Sequence, residues 1–340
     1  MTAADHHPPR AALVAGFAAI YLIWGSTYLG IRVAVETMPP FLMASARFLV
    51  AGAIVAGYIA LTRGFRATAA QWRDNALIGG FLCLGGNGLV SWAEEAVPSG
   101  IATLIISAGP VFIVLMDWAF QAMFRGGGRD ARPNLLTCIG LALGIAGLAV
   151  LVGPDVLQYF GGPEAGAGGL DPWRVLGLLG ATLFWGMGMI YIRYARTPAE
   201  PFTASGIQML AGSVWLLVTS GATGEWGRFD PAAITGKSLL AWGYLVIFGS
   251  LIGFSTFTWL MKHSTPAKVS TYAYVNPVVA VFLGWWLLDE PVGARVFLAA
   301  AVIIAGVALI TIAKNRKSAP AARLAPAPGG RAPAAASAGK

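Results

Sequence analysis

Trp24, Tyr21, Asn87, Ser107, Trp185, Tyr272 and Asn276 are rings, amides and hydroxyls set within long apolar runs. Such groups suit binding better than bond-making. A ring gives a stacking surface to a flat apolar body and a cation–π contact to an ammonium. Spacings of three and four place residues on one helical face. Tyr21, Trp24 and Tyr28 share a face in this way, as do Thr182, Trp185 and Met189, Asn87 and Ser91, Thr103 and Ser107, and Tyr272 and Asn276. Simple packing competes with each of these readings: aromatic stripes pack, and polar groups deep in apolar helices pair with neighbouring helices. Pro110 and Pro277 would leave the carbonyls of Ile106 and Ala273 without their helical donors. A freed carbonyl holds a cation or an amine, and the same prolines serve as kinks or gating points.

Charged residues inside the runs are few. Arg47 is about seven residues from one end of its run, or about 10 Å down a helix. There it either attracts a carboxylate or caps loops and carbonyls at the rim, and the second role is the expectation. Asp117 is the one acid well inside a run, since Glu94 and Glu95 fall at a run's end. That makes it the possible proton site, although about 17 Å of depth separates it from Arg47. Proton coupling, sodium coupling and none all stay open, with facilitated diffusion the simplest expectation.

Reaction chemistry is missing. Cys83 and Cys138 lie in apolar runs and build neither a disulfide framework nor a metal cluster. No nucleophile–base pair stands out in the short loops. The "TGKS" at 235–238 has Pro231 where a phosphate-binding loop needs glycine. We therefore expect no enzyme, no cofactor and no metal.

Those residues need elements to position them, and composition says which. Of the 340 residues 57% are hydrophobic and 11% charged, with a mean hydropathy of +0.69. Soluble domains carry about 25% charged residues. Ten apolar runs are long enough to cross a bilayer as helices, at 12–33, 40–61, 74–96, 99–124, 134–152, 172–195, 201–220, 238–262, 266–288 and 292–313. The first resembles a signal peptide, but its length and Trp24 favour a retained helix.

Ten spans put both termini on one side. With that side cytoplasmic, 17 of the 23 Lys and Arg residues lie inside and five (Arg32, Arg174, Arg228, Lys237, Arg295) outside, with Arg47 within a span. Basic residues gather in cytoplasmic loops, so both termini are expected there. The net charge of +8 then reports topology and requires no nucleic acid. Residues 314–340, rich in Ala, Pro and Gly, read as a disordered cytoplasmic tail near anionic lipid.

The chain also repeats itself. "LIWGSTYLGIR" (22–32) matches "LFWGMGMIYIR" (183–193) at an offset of 161, pairing Trp24-Gly25 with Trp185-Gly186. "PPFLMASARFLVAG" (39–52) matches "EPFTASGIQMLAG" (200–212) with one gap. Residues 91–112 match 258–279 at an offset of 167, pairing Trp92 with Trp259 and Pro110 with Pro277. "IAGLAVL" (145–151) matches "IAGVALI" (304–310). The expected units are residues 1–152 and 171–313, each of five helices. An odd helix number forces the second copy to enter inverted, the architecture of secondary transporters with substrate held near the midplane.

Trp24-Gly25-Ser26, Arg47-Phe48, Pro110, Pro277 and "LLDEPV" (287–292) together resemble the drug/metabolite transporter superfamily, EamA family, over residues 12–313. Within it the chain looks most like bacterial exporters of aromatic amino acids. Where the family often ends its fourth helix with an acid, this chain has "WAFQAMFRGG". The resemblance implies an all-α polytopic membrane protein: ten transmembrane helices, as two inverted five-helix repeats, around a central cavity. It implies export of small metabolites, foremost aromatic or neutral amino acids, across the bacterial inner (plasma) membrane by alternating access. A lipid-linked substrate is the nearest rival. A channel is a more distant one, because a monomeric inverted repeat lacks ring symmetry about a pore. The expected partners are the small-molecule substrate and the lipid bilayer. A monomer is expected, with a dimer through Gly140 and Gly144 as the alternative.

Overall fold

The computed structural model of the chain describes residues 9–109, 111–112, 135–161, 170–192, 194–198, 200–264, 266–269 and 271–318. Every regular element among them is helical. The long ones are α1 (Arg10–Ala34), α2 (Pro40–Thr62), α3 (Ala69–Ala93), α4 (Ser99–Ser107), α5 (Leu135–Gly161), α6 (Pro172–Tyr191), α7 (Pro201–Ala222), α8 (Gly236–His263), α9 (Tyr272–Leu288) and α10 (Ala294–Ser318). Among the described residues eight helices are long and apolar enough to cross a membrane, and α9 is a shorter apolar helix of 17 residues. For the expected span 99–124, most of the run past α4 lies outside the described residues, as do Pro110, Asp117 and the 319–340 part of the tail.

Local sequence accounts for the helix starts. Pro40, Pro172 and Pro201 open α2, α6 and α7, where a missing N–H costs nothing. Thr68 and Gln71 form a reciprocal capping box on α3, and the Thr235 hydroxyl of the rejected "TGKS" accepts from Ser238 N at 3.2 Å. Two further caps come from far along the chain. The Glu225 carboxylate accepts from Phe41 N and Leu42 N (3.1 and 2.8 Å), and that of Glu290 from Ser99 N and Gly100 N (2.8 and 3.1 Å). Each places negative charge at the positive end of a helix dipole.

These contacts fix the helix directions. Arg32, at the C-terminal end of α1, donates to the carbonyls of Glu94 and Glu95 (2.5 and 2.7 Å). Arg174, at the N-terminal end of α6, donates to the carbonyl of Trp92 and to Glu95 Oε2 (2.7 Å). So α1 ends where its sequence counterpart α6 begins. The opposite end is tied by Asp74, which meets Arg73 at 2.8 Å and Arg196 at 3.5 Å, and by Arg63 with Glu200 at 3.4 Å.

Two features open the middle of the bundle. Gly80–Gly88 in α3 and Leu245–Phe254 in α8 wind as π-helix, a wider turn that often marks functional sites. Rings from the opposite half of the chain press on glycines in both. A Cβ on Gly86 would lie 2.6 Å from a ring carbon of Trp185, and one on Gly253 would lie 2.6 Å from Trp24 Nε1. Gly86 and Gly253 are themselves 167 residues apart, the offset of the sequence repeat around them. Apolar packing then divides around the opening. One cluster includes Ile31, Leu104, Leu151 and Ile303, and the other Ile20, Phe48, Leu82 and Phe257. Large side chains such as Leu61, Val218, Trp286 and Phe297 face outward, as hydrocarbon surroundings allow. Gly140 and Gly144 pack within the chain, against Gly306 and Val111, and not on an open face.

Candidate functional site

A cavity of about 100 Å³ lies between the two π-helical turns. Trp24, Asn87, Ser107, Trp185, Tyr272, Asn276 and Pro277 all line it, drawn from α1, α3, α4, α6 and α9. The structure thus brings together seven of the residues singled out from the sequence. Tyr21 is the exception. Its hydroxyl pairs with Thr271 Oγ1 at 2.5 Å, and Tyr28, two turns further along the same face, takes the place in the wall.

The aromatic wall is a cluster of contacting rings. Trp24 meets Trp185 edge-on at 5.5 Å and Tyr272 edge-on at 5.2 Å, and Phe257 packs behind both indoles at 5.0 and 5.6 Å. Such pairs contribute about 0.5–1.5 kcal/mol beyond their burial. Trp185 Nε1 donates to the Tyr272 hydroxyl at 2.8 Å, which fixes both rings. Trp24 Nε1 reaches the Gly249 carbonyl only at 3.4 Å. Gly25 gives α1 its close seat on α9: a Cβ there would lie 2.7 Å from Val279 Cβ.

The polar lining is partly self-satisfied. Asn87 Nδ2 donates to the Leu82 carbonyl at 3.1 Å, a five-residue step that belongs to the π-turn. Ser107 donates to the Leu104 carbonyl at 2.7 Å. The Asn276 amide, oriented to satisfy both neighbours, donates to the carbonyls of Tyr272 (3.2 Å) and Tyr21 (3.1 Å) and so ties α9 to α1. Pro277 sits inside α9 and, lacking an N–H, cannot bond the Ala273 carbonyl; Ala273 also lines the cavity.

Arg47 overturns its expected place at the rim. It is 3% exposed and lines the cavity. Its Nε donates to Ser250 Oγ at 2.7 Å, its guanidinium lies 4.8 Å from the Phe48 ring centroid, and Nη1 is buried with no hydrogen-bond partner. No acidic residue lines the cavity among the described residues. Counting residues from the run's end gave Arg47 a depth but not a neighbour. That neighbour, Ser250, comes from the π-turn of α8, which carries no recognisable sequence signal beyond its glycines. The cavity wall thus holds a guanidinium, a set of rings and a freed carbonyl.

The model of the EamA-like transporter family matches twice, over residues 11–153 and 172–312. The chain is 36% identical over 298 residues to the uncharacterized inner membrane transporter YedA of Escherichia coli (strain K12), covering 87% of this chain and 89% of that one. It is 25% identical to the uncharacterized transporter YvbV of Bacillus subtilis (strain 168), over 91% of this chain and 94% of that one. A solved crystal structure superposes with a TM-score of 0.58 at 26% identity, over 92% of this chain and 100% of its own.

Proposed function

The chain belongs to the EamA-like transporter family, and from that premise we propose a multi-pass inner-membrane transporter that exports small carboxylate-bearing metabolites, aromatic and neutral amino acids foremost. The observation that carries the cargo class is Arg47. A buried guanidinium whose Nη1 has no hydrogen-bond partner among the described residues, in a cavity wall without acids there, carries a desolvation cost of several kcal/mol that the Ser250 bond and the Phe48 ring offset only in part. A cargo carboxylate offsets it, since a planar guanidinium fork matches a carboxylate bidentately. Trp24, Tyr28, Trp185 and Tyr272 then receive the apolar body. The carbonyl freed by Pro277 suits the ammonium, as unwound carbonyls do at transporter midplanes.

Alternating access between two inverted five-helix repeats moves the cargo. The double family match, the antiparallel course of α1 and α6, and the crosswise seating of Trp24 on Gly253 and Trp185 on Gly86 support this reading. The protein works as a monomer in this proposal, because Gly140 and Gly144 are spent inside the chain. The test is counterflow in proteoliposomes, loaded in turn with phenylalanine, tryptophan, alanine, lysine and the amide phenylalaninamide. Exchange of labelled phenylalanine with neutral amino acids but not with the amide is expected. Equal exchange with phenylalaninamide would remove the carboxylate from the reading.

Both termini are cytoplasmic in this topology. Reporter fusions check it. Periplasmic activity is expected at Gly161 and cytoplasmic activity after Lys340. Periplasmic activity at the tail would undo the inverted arrangement.

A further inference from the structure

At the end of the bundle where α1 and α3 finish, Glu94 is one residue beyond the span that closes at Ala93. Its place at a run's end suggests a solvated carboxylate. Instead the side chain is 0% exposed, and both carboxyl oxygens are buried without a hydrogen-bond partner. Arg32 is close enough for its charge to favour the carboxylate, but it gives its Nη1 to the backbone carbonyls of Glu94 and Glu95 and makes no hydrogen bond to the carboxyl group. Arg174 of α6 is likewise spent, on the Trp92 carbonyl and the Glu95 carboxylate. Among the described residues no other neighbour gives the Glu94 carboxyl a hydrogen bond. Glu290, from the segment after α9, is held on the N-terminus of α4 and adds a second negative charge. Tyr28 of α1 is within electrostatic reach of Glu94 and also lines the cavity. Ser99, at the start of α4, has a buried hydroxyl with no partner.

Full burial with no hydrogen-bond donor, beside the charge of Glu290, favours the neutral acid, and the charge of Arg32 opposes this only in part. We propose that Glu94 binds the coupling proton: neutral Glu94 keeps this end of the bundle shut, and its ionisation opens it to water. The balance is one proton against one cargo. In the outward-open state the Glu94 carboxylate takes a proton from the outer solution, and the end closes over the neutral acid. When the opposite end opens, the proton leaves past Tyr28 to the cavity and the cytoplasm, and the next cargo enters to leave outward. No second acid at midplane depth is required. Asp117, the possible proton site read from the sequence, lies outside the described residues; the proposal assigns the proton to Glu94 and coupled exchange in place of facilitated diffusion.

The proposal rests on the transport reading, so the experiment separates the two. The full chain is purified and reconstituted. First, infrared difference spectra follow the protonated-carboxyl band through a pH titration without cargo. Wild type is expected to keep such a band at neutral pH, Glu94→Gln to lose it, and Glu95→Gln to retain it. Second, labelled phenylalanine flux is measured with and without a pH gradient. Glu94→Gln, fixed in the neutral form that keeps this end shut, is expected to lose both counterflow at equal pH and pH-driven flux by roughly tenfold or more, while Glu95→Gln keeps both. Failure of counterflow in wild type would count against the transport reading, while the infrared band still decides the proton site. An unchanged band in Glu94→Gln, or no pH-driven flux in an actively exchanging wild type, would overturn the proposal. Should Glu94→Gln not fold, Glu94→Asp must shift the titration of the band; an unshifted titration overturns it equally.

Discussion

Replacing Arg47 with methionine is expected to abolish exchange of carboxylate-bearing cargo while making the protein harder to unfold. Both halves follow from the same atoms. The guanidinium is 3% exposed, its Nη1 has no partner among the described residues, and its Nε bonds Ser250. Exchanging buried ionic groups for well-packed apolar ones is commonly neutral or stabilising by about 1–4 kcal/mol, and the partial compensation of Arg47 by Ser250 places this exchange toward the lower end. With cargo bound the sign reverses. Truncating one side of a buried charged pair costs about 2–5 kcal/mol, or roughly 30-fold to a few thousand-fold in affinity. Arg47→Lys keeps the charge but loses the planar fork, so it should recover only part of the exchange. The measurements are counterflow of labelled phenylalanine and a thermal midpoint in detergent. Stability and exchange falling together in Arg47→Met would make Arg47 a structural residue, and the cargo would lose its assigned anchor.

Trp24→Ala and Trp185→Ala form the second pair. Each is expected to impair exchange of phenylalanine and tryptophan more than that of alanine, by up to about tenfold, the worth of one lost ring contact. The two differ in what else they break. Trp185→Ala removes the donor to the Tyr272 hydroxyl, while Trp24→Ala removes only a long contact to Gly249. Loss of Trp from a packed site also costs about 3–5 kcal/mol of stability. Trp24→Phe and Trp185→Phe are therefore measured beside them; they keep the bulk and should retain most of the aromatic preference. Exchange lost equally for alanine and phenylalanine would assign the rings to packing.

How far the site could be read from sequence varies residue by residue. Trp24, Asn87, Trp185 and Asn276 were legible because each breaks a long apolar run near its middle, and depth is conserved when a run becomes a helix. Tyr21 shows the limit of that reasoning. It shares a face with Tyr28, but about 10 Å of helix rise separates them, and only the cavity's vertical extent decides which one lines it. Arg47 and Glu94 show a second limit. Their depths could be counted, but solvent access could not. Ser250 meets Arg47 where α8 widens into a π-turn, and Glu94, at the end of its run, is fully buried.

The sequence by itself determined the membrane character, the run lengths, the repeated halves and the family. These are properties of composition and spacing, and an apolar run in lipid must satisfy its own backbone by forming helix. Tertiary structure alone decided which polar groups found partners. The caps by Glu225 and Glu290 join residues more than 180 positions apart, and the same packing leaves Arg47 Nη1 and the Glu94 carboxyl with none. Whether a buried charge is spent or open is a matter of a few ångströms between helices, because a hydrogen bond weakens steeply with distance and angle. No periodicity in the chain encodes that.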